Sequence, residues 1–246
     1  MKRERLDVLL VERGLAESRE KAKRLILAGQ VLVDDAPAGK AGHEVPLDCV
    51  LRVRRPERFV GRGGLKLEEA FLRFPLLSAD GRICVDIGAS TGGFTDCLLQ
   101  HGAARVYAVD VGKCQLHPRL AADPRVTVLD ACNARHLQPG DLPETPSLAV
   151  TDVSFISLRL ILPAIDRLLP PGGETVALIK PQFEAGRDEV GRGGVVRDPA
   201  VRQHVVDRIR EFAAATLGWE GLGICQSPIQ GPAGNVEFLS YWRKPS

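Results

Sequence analysis

The chain has 246 residues, and no apolar run in it approaches the roughly 18 residues that a membrane-spanning helix requires. Its start, Met1-Lys2-Arg3-Glu4-Arg5, leads into Leu6–Leu10, but Asp7 and Glu12 interrupt the apolar stretch, so the pattern is not that of a secretory signal. No two cysteines stand as C-x-x-C. The six, at 49, 84, 97, 114, 132 and 225, are scattered, which argues against a zinc site and fits reduced thiols in a cytoplasmic protein. The five histidines, at 43, 101, 117, 136 and 204, show no ligand spacing, so no metal is expected. Charge of one sign is also lacking: 33 basic against 31 acidic residues leave a net charge of +2. Whole-chain charge therefore does not mark a nucleic-acid binder, and local clustering has to make that case. There is no internal repeat and no low-complexity tract.

What the chain does contain is a change of pattern near residue 59. Before it, Leu6, Leu9, Leu10 and Arg13 give helical spacing that Gly14 ends. Ser18 is a suitable cap for a second helix, and Gly29 a suitable stop. Val31–Asp34 and Val50–Val53 read as strands around a turn-rich stretch. Arg54-Arg55-Pro56-Glu57-Arg58-Phe59 reads as a linker, so the expected domains are residues 1–59 and 60–246. From there a helix over about 65–74 is followed by apolar strands at 83–86, 106–110, 126–129, 148–152 and 175–179, with helical stretches between most of them. Apolar strands alternating with helices predict an α/β domain with a mostly parallel, doubly wound sheet. Two further strands, near 220–227 and 236–243, are expected as an antiparallel pair at the sheet edge.

Val85-Asp86-Ile87-Gly88-Ala89-Ser90-Thr91-Gly92-Gly93-Phe94-Thr95 follows a strand and opens a helix. Glycines there let the backbone turn tightly and let a ligand approach. The spacing is not G-x-G-x-x-G, which argues against a dinucleotide fingerprint. It resembles motif I of the class I S-adenosylmethionine methyltransferases, in which the acid precedes the first glycine by two residues. The resemblance implies that Gly88, Gly92 and Gly93 shape the loop, with Ser90 and Phe94 in the same cofactor-binding stretch and Asp86 near the methionine moiety. Asp110 ends the next strand, 22 residues beyond Gly88, where an acid can accept from ribose hydroxyls. Asp130 ends the third strand, either as an adenine contact, as the family pattern implies, or as a helix cap.

Thr151-Asp152-Val153-Ser154-Phe155-Ile156-Ser157 follows the fourth strand and lacks the D/N-P-P-Y type motif of amino methyltransferases. Leu178-Ile179-Lys180-Pro181-Gln182-Phe183-Glu184 follows the fifth and brings a lysine to the same edge. Lys66 and Glu237 stand in apolar or glycine-rich settings. Lys66, Asp152, Lys180 and Glu237 match the Lys-Asp-Lys-Glu tetrad of the FtsJ-like 2'-O-methyltransferases. From about residue 3 to 243 the chain resembles the TlyA family of ribosomal RNA cytidine 2'-O-methyltransferases, once described as hemolysins. The most specific stretches are Asp86–Phe94, Asp152–Ser157, Lys180–Gly186, Gly193–Val196 and Gly231–Glu237. It departs from some members in the linker, where they carry a tryptophan and this chain has Phe59, and in ending soon after its last strand. The short form points to large-subunit ribosomal RNA, with the small subunit a second candidate.

The resemblance implies a Rossmann-like class I methyltransferase fold, S-adenosylmethionine as cofactor and ribosomal RNA in ribosomal subunits as partner. The chemistry needs these residue types. A ribose 2'-hydroxyl is a poor nucleophile and must lose its proton as it attacks the sulfonium methyl in line. A positioned base contributes roughly 10²–10⁴-fold. Lys180 is assigned nearest the 2'-hydroxyl, either as neutral base or as a cation facing the developing alkoxide. Lysine is ordinarily protonated at neutral pH, so the base role needs the neighbouring charge of Lys66 to outweigh that of Asp152. Asp152 orients Lys180 and the substrate, and Glu237 holds Lys66.

Residues 1–24 carry eight basic side chains and five acids. With Ile26–Asp34 they resemble the small α+β S4-like RNA-binding domain, which implies phosphate contacts from Arg5, Arg19 and Lys23. Such contacts position RNA without reading its sequence. Gly186–Gly194 is a second candidate surface, read as a substrate-facing lid. Three rivals remain. A membrane-active hemolysin lacks a membrane segment, an assembly factor without catalysis would not need the tetrad, and methylation of a base would call for the missing proline–aromatic motif.

Overall fold

The structure, a computed structural model, describes residues 2–54 and 58–246. It divides into two compact units, Met1–Arg58 and Phe59–Ser246.

The first unit opens with β1 (Arg3–Arg5) and α1 (Leu6–Glu12), then α2 (Arg19–Leu27). Leu6, Leu9 and Leu10 recur on one face of α1 and are buried against Ala22 and Ile26 of α2. Gly14 ends the first helix in the left-handed region at φ 68°. Ser18 caps the second, its Oγ accepting from the Lys21 N–H at 3.2 Å. β2 (Val31–Val33), β3 (Ala36–Pro37), β4 (Glu44–Pro46) and β5 (Leu51–Val53) follow. β2 lies between β3 and β5, and β1 pairs antiparallel with β4. The sequence pattern does not reveal β1, β3 and β4, because strands of two or three residues are too short to show alternation.

The second unit begins with α3 (Gly63–Arg73) and continues as β6 (Ile83–Ile87), α4 (Gly93–Gln100), β7 (Arg105–Val109), α5 (Pro118–Ala121), β8 (Val126–Leu129) and β9 (Leu148–Thr151). Then come α6 (Leu162–Leu168), β10 (Glu174–Ile179), α7 (Pro181–Glu184), α8 (Pro199–Leu217), β11 (Glu220–Gln226) and β12 (Phe238–Arg243). The sheet order is β11-β12-β10-β9-β6-β7-β8. Strands β6 to β10 run parallel, and β12 is antiparallel to both of its neighbours. Alternate residues of each strand serve opposite faces, which is what two layers of helix demand. Val85, Ile87, Ala177 and Ile179 pack toward α6 and α8, whereas Cys84, Val176 and Leu178 pack toward α3 and α4.

The last two strands form the expected antiparallel pair at the sheet edge, with β12 inserted between β10 and β11 and β11 outermost. The burial explains why. Leu239, Ser240, Tyr241 and Trp242 are all buried, as a strand covered on both faces requires. This insertion positions the site. The parallel strands deliver Gly88, Asp110, Asp152 and Lys180 at their carboxyl ends. An antiparallel neighbour delivers the residue before its start to the same edge. Ile179 pairs with Phe238, so Lys180 and Glu237 leave the sheet side by side.

Leu239 is 0% exposed whereas Leu27 is 91% exposed. Leu239→Ala is expected to destabilise its unit by about 2–5 kcal/mol in denaturant titration. Leu27→Ala is expected to stay within about 0.5 kcal/mol of the parent.

Candidate active site

The loop after β6 is built by its glycines. Gly88 lies at φ 84°, and a Cβ there would come within 3.0 Å of the Asp152 carbonyl oxygen. Gly92, at φ 97°, would place a Cβ 2.3 Å from Leu120. The loop therefore closes tightly onto the β9 loop and α5, and Gly93 starts α4. Phe94 is buried beneath it. The loop borders a cavity of about 330 Å³ lined by Gly88, Ser90, Asp110, Gln115, Asn133 and Asp152, among others. Asp110 fixes the cavity wall from within: Oδ2 accepts from the Ser90 N–H at 2.8 Å and Oδ1 from the Gly112 N–H at 2.7 Å.

Two of the expected cofactor-binding residues do not line this cavity. Asp130 is exposed, and its Oδ2 accepts from the Cys114 N–H at 2.8 Å, so it ties down the loop after β7. Ala131, left-handed at φ 53°, turns the chain behind it, and Cys132, Asn133 and Ala134 line the cavity instead. Asp86 is not in the cavity wall. Strand alternation sends its side chain to the α4 face, fully buried, where Oδ2 accepts from the Thr95 hydroxyl at 2.7 Å. Among the described residues its Oδ1 finds no hydrogen-bond partner.

A second cavity of about 240 Å³ adjoins the first and shares Gly88, Ser90, Asp152 and Ser154 with it. Its other walls include Lys66, Phe94, Lys180 and Glu237. Here the structure brings four charges into one line. Lys180 Nζ is 2.6 Å from Asp152 Oδ1. Asp152 Oδ2 is 3.7 Å from Lys66 Nζ, which is 2.7 Å from Glu237 Oε2. The signs alternate along the chain, so each buried charge faces an opposite one. This is the condition for keeping ions out of water.

Other residues, whose roles the sequence does not announce, hold this line. The Gln182 side-chain amide donates to Glu237 Oε1 at 3.0 Å. Glu184 is buried and accepts from the Ser157 hydroxyl at 2.7 Å and the Leu158 N–H at 2.6 Å, which anchors the loop after β9. Burial pushes the Glu184 carboxyl up. Asn235, also buried, accepts from the Val196 N–H at 3.0 Å and donates to the Gly194 carbonyl at 2.8 Å. The glycine-rich stretch expected as a lid is thus pinned at its far end beside Glu237. The available signal is positional. Gln182 and Glu184 stand two and four residues after Lys180, and Asn235 two before Glu237, so they share short segments with the tetrad.

In the first unit, Asp7 is buried and gathers two of the three expected RNA contacts. Arg5 Nε lies 3.0 Å from its Oδ1 and Arg19 Nη2 lies 3.1 Å from its Oδ2. The Arg5 guanidinium, followed by that of Arg19, holds the Asp7 carboxyl down at about 2 despite burial. Lys23 is not part of this group; it pairs with Glu20 at 2.8 Å.

Comparison with known proteins follows these two units. Residues 59–244 match the FtsJ-like methyltransferase family model and residues 4–48 the S4 domain model. The chain is 46% identical over 244 residues to the 16S/23S rRNA (cytidine-2'-O)-methyltransferase TlyA of Mycobacterium tuberculosis, covering 98% of this chain and 90% of that protein. It is 41% identical over 239 residues to Hemolysin A of Brachyspira hyodysenteriae, covering 97% and 99%. A solved structure from Streptococcus thermophilus that carries a hemolysin name superposes with a TM-score of 0.76 at 46% identity, covering 100% of this chain and 90% of that one.

Asp86 provides a test of the loop. Burial raises its carboxyl from 3.8 to about 7, with the charge of Asp152 adding to the rise and the Thr95 hydroxyl opposing it. The folded protein therefore holds this proton more tightly than the unfolded chain does. That contribution is complete below about pH 4 and is lost as pH rises through about 7. Asp86→Asn keeps an acceptor for Thr95 and never ionises. It is expected to flatten the fall in stability between about pH 4 and 7 and to exceed the parent by about 1–4 kcal/mol at pH 8. An unchanged pH profile in denaturant titrations would contradict the placement.

Proposed function

Because the chain belongs to the FtsJ-like methyltransferases, in the TlyA branch that carries an S4 domain, we propose that it methylates a cytidine ribose 2'-hydroxyl of ribosomal RNA from S-adenosylmethionine. Large-subunit RNA is the favoured acceptor, with the small subunit second, and the work is done in the cytoplasm. The observation that carries the reading is the alternating line Lys180–Asp152–Lys66–Glu237 in a cavity adjoining the glycine-loop cavity.

The first cavity fits the cofactor. Gly88 lines its floor, and Asp110 and Asn133 offer polar groups along it. When bound, S-adenosylmethionine supplies the electrophile: the ribose oxygen bonds to the methyl carbon as the carbon–sulfur bond breaks and its electron pair stays on sulfur. The residues of this chain handle the proton. Lys180 faces the second cavity with its Nζ held by Asp152 and Ser154. In the methylation step the proton of the 2'-hydroxyl passes to Nζ beside Asp152, and from there to solvent at the end of the cycle. Lys66, drawn to Glu237 and lying 3.7 Å from Asp152, keeps that carboxylate aligned.

Phe155 adds a surface for RNA. Its ring is 90% exposed beside Phe183, with centroids 5.0 Å apart, on a backbone at φ 62°. An exposed aromatic held this firmly is a place for a nucleobase to stack. In the S4 unit, Arg5 and Arg19 are proposed as phosphate contacts, oriented by Asp7, with Lys23 a further one. Among the described residues no helix is long and apolar enough to cross a membrane.

The test is methyl transfer from labelled S-adenosylmethionine to ribosomal RNA lacking the modification, followed by alkaline hydrolysis. A 2'-O-methyl group removes the hydroxyl that attacks the next phosphate, so the label is expected in an alkali-resistant dinucleotide. Lys180→Ala is expected to lose about 10²–10⁴-fold in rate. Lys180→Arg is expected to fall as far, because a guanidinium does not give up its proton to act as base. Label in mononucleotides would mean base methylation, and an active Lys180→Arg would rule out the base role.

A further inference from the structure

The tetrad does not include the residue that receives the directed hydrogen bond of Lys180. Asp152 Oδ1 is close to Nζ, at 2.6 Å, but too oblique to accept a directed hydrogen bond. That bond goes to Ser154 Oγ, at 2.8 Å. Ser154 borders both cavities, together with Gly88, Ser90 and Asp152. It therefore stands where the methyl donor and the acceptor must meet.

Its geometry is imposed. The chain on its carboxyl side is pinned within four residues: Phe155 packs on Phe183, and Ser157 and Leu158 donate to the buried Glu184. Glu184 and Lys180 are joined through the four-residue helix α7, so the serine and the lysine are referenced to the same short segment. A hydroxyl that accepts from the lysine Nζ has its own hydrogen left over. Among the described residues that hydrogen finds no acceptor, and the group is exposed to the cavity.

We propose that Ser154 is a further catalytic residue, which fixes the rotation of Lys180 Nζ and donates its own hydroxyl hydrogen to the acceptor ribose. The ligand it recognises is a ribose oxygen, and the inference rests on the reading of the site as a ribose 2'-O-methyltransferase. One hydrogen bond orients the lysine. The other meets the 2'-oxygen as negative charge grows on it, where a preorganised donor is worth more than in water. The proton balance is unchanged: the 2'-proton goes to Lys180, and Ser154 keeps its own.

The test compares wild type with Ser154→Ala, Ser154→Gly and Ser154→Thr in single-turnover methylation of unmodified ribosomal RNA. Affinities for RNA and for S-adenosylhomocysteine, and thermal midpoints, are measured alongside. The alanine and glycine variants are expected to lose about 10²-fold in the single-turnover rate. Both affinities and the midpoint should match wild type. The threonine variant, which restores the hydroxyl, is expected within about threefold of wild type. Wild-type rates in Ser154→Ala, an equal loss in Ser154→Thr, or a loss confined to RNA affinity would each overturn the proposal. Wild-type label that is not alkali-resistant would instead overturn the ribose reading, and the Ser154 proposal with it.

Discussion

Four charged groups withdrawn from water at one edge of a sheet set the tightest constraint on this fold. Lys66, Lys180 and Glu237 are each less than a tenth exposed, and Asp152 links them. Each such ion costs several kcal/mol to bury unless a partner is held in place. No local stretch of chain can hold four of them, since they come from α3 and from loops after β9, after β10 and before β12. The alternation of sign makes the arrangement tolerable, and the sheet makes the alternation possible. Two parallel strands, β9 and β10, and the inserted antiparallel β12 bring three of the charges to one edge in register. The helices α3 and α7 then fix where the chain goes next.

The same constraint explains what the sequence makes legible. Strands β6 to β10 show themselves because both faces are buried and the apolar runs are continuous. The glycine loop shows itself because left-handed φ at Gly88 and Gly92, against backbone and leucine side chains, leaves few other residues possible. Lys180 is visible as a lone lysine ending an apolar strand. Position in three dimensions is less legible. Nothing local says that β12 slots between β10 and β11; that follows from which strands have two faces to cover. Asp86 and Asp130 illustrate the limit. Both end or precede strand ends as cofactor contacts should, yet pleat alternation turns Asp86 away from the cavity, and the left-handed Ala131 hands the cavity wall to Asn133. Gln182, Glu184 and Asn235 are polar residues in polar segments. Only the fold reveals that Glu184 and Asn235 are buried and what all three hold.

The S4 unit solves a smaller problem in a related way. One buried carboxylate, Asp7, draws Arg5 and Arg19 together from two segments of chain, leaving each guanidinium about half exposed. In the phosphate-binding role proposed for them, cations oriented before binding lose less entropy when the phosphate arrives.

If the four charges work as one unit, removing either end of a pair disables the same function. The most direct measurement is a double-mutant cycle on Lys66 and Glu237, read as the single-turnover methylation rate of ribosomal RNA for Lys66→Ala, Glu237→Ala and the two combined. The account predicts that the double variant is no slower than the slower single one, within a few-fold, as expected of coupled residues. Losses that multiply would mean that the two act independently, and would contradict a connected line of charge.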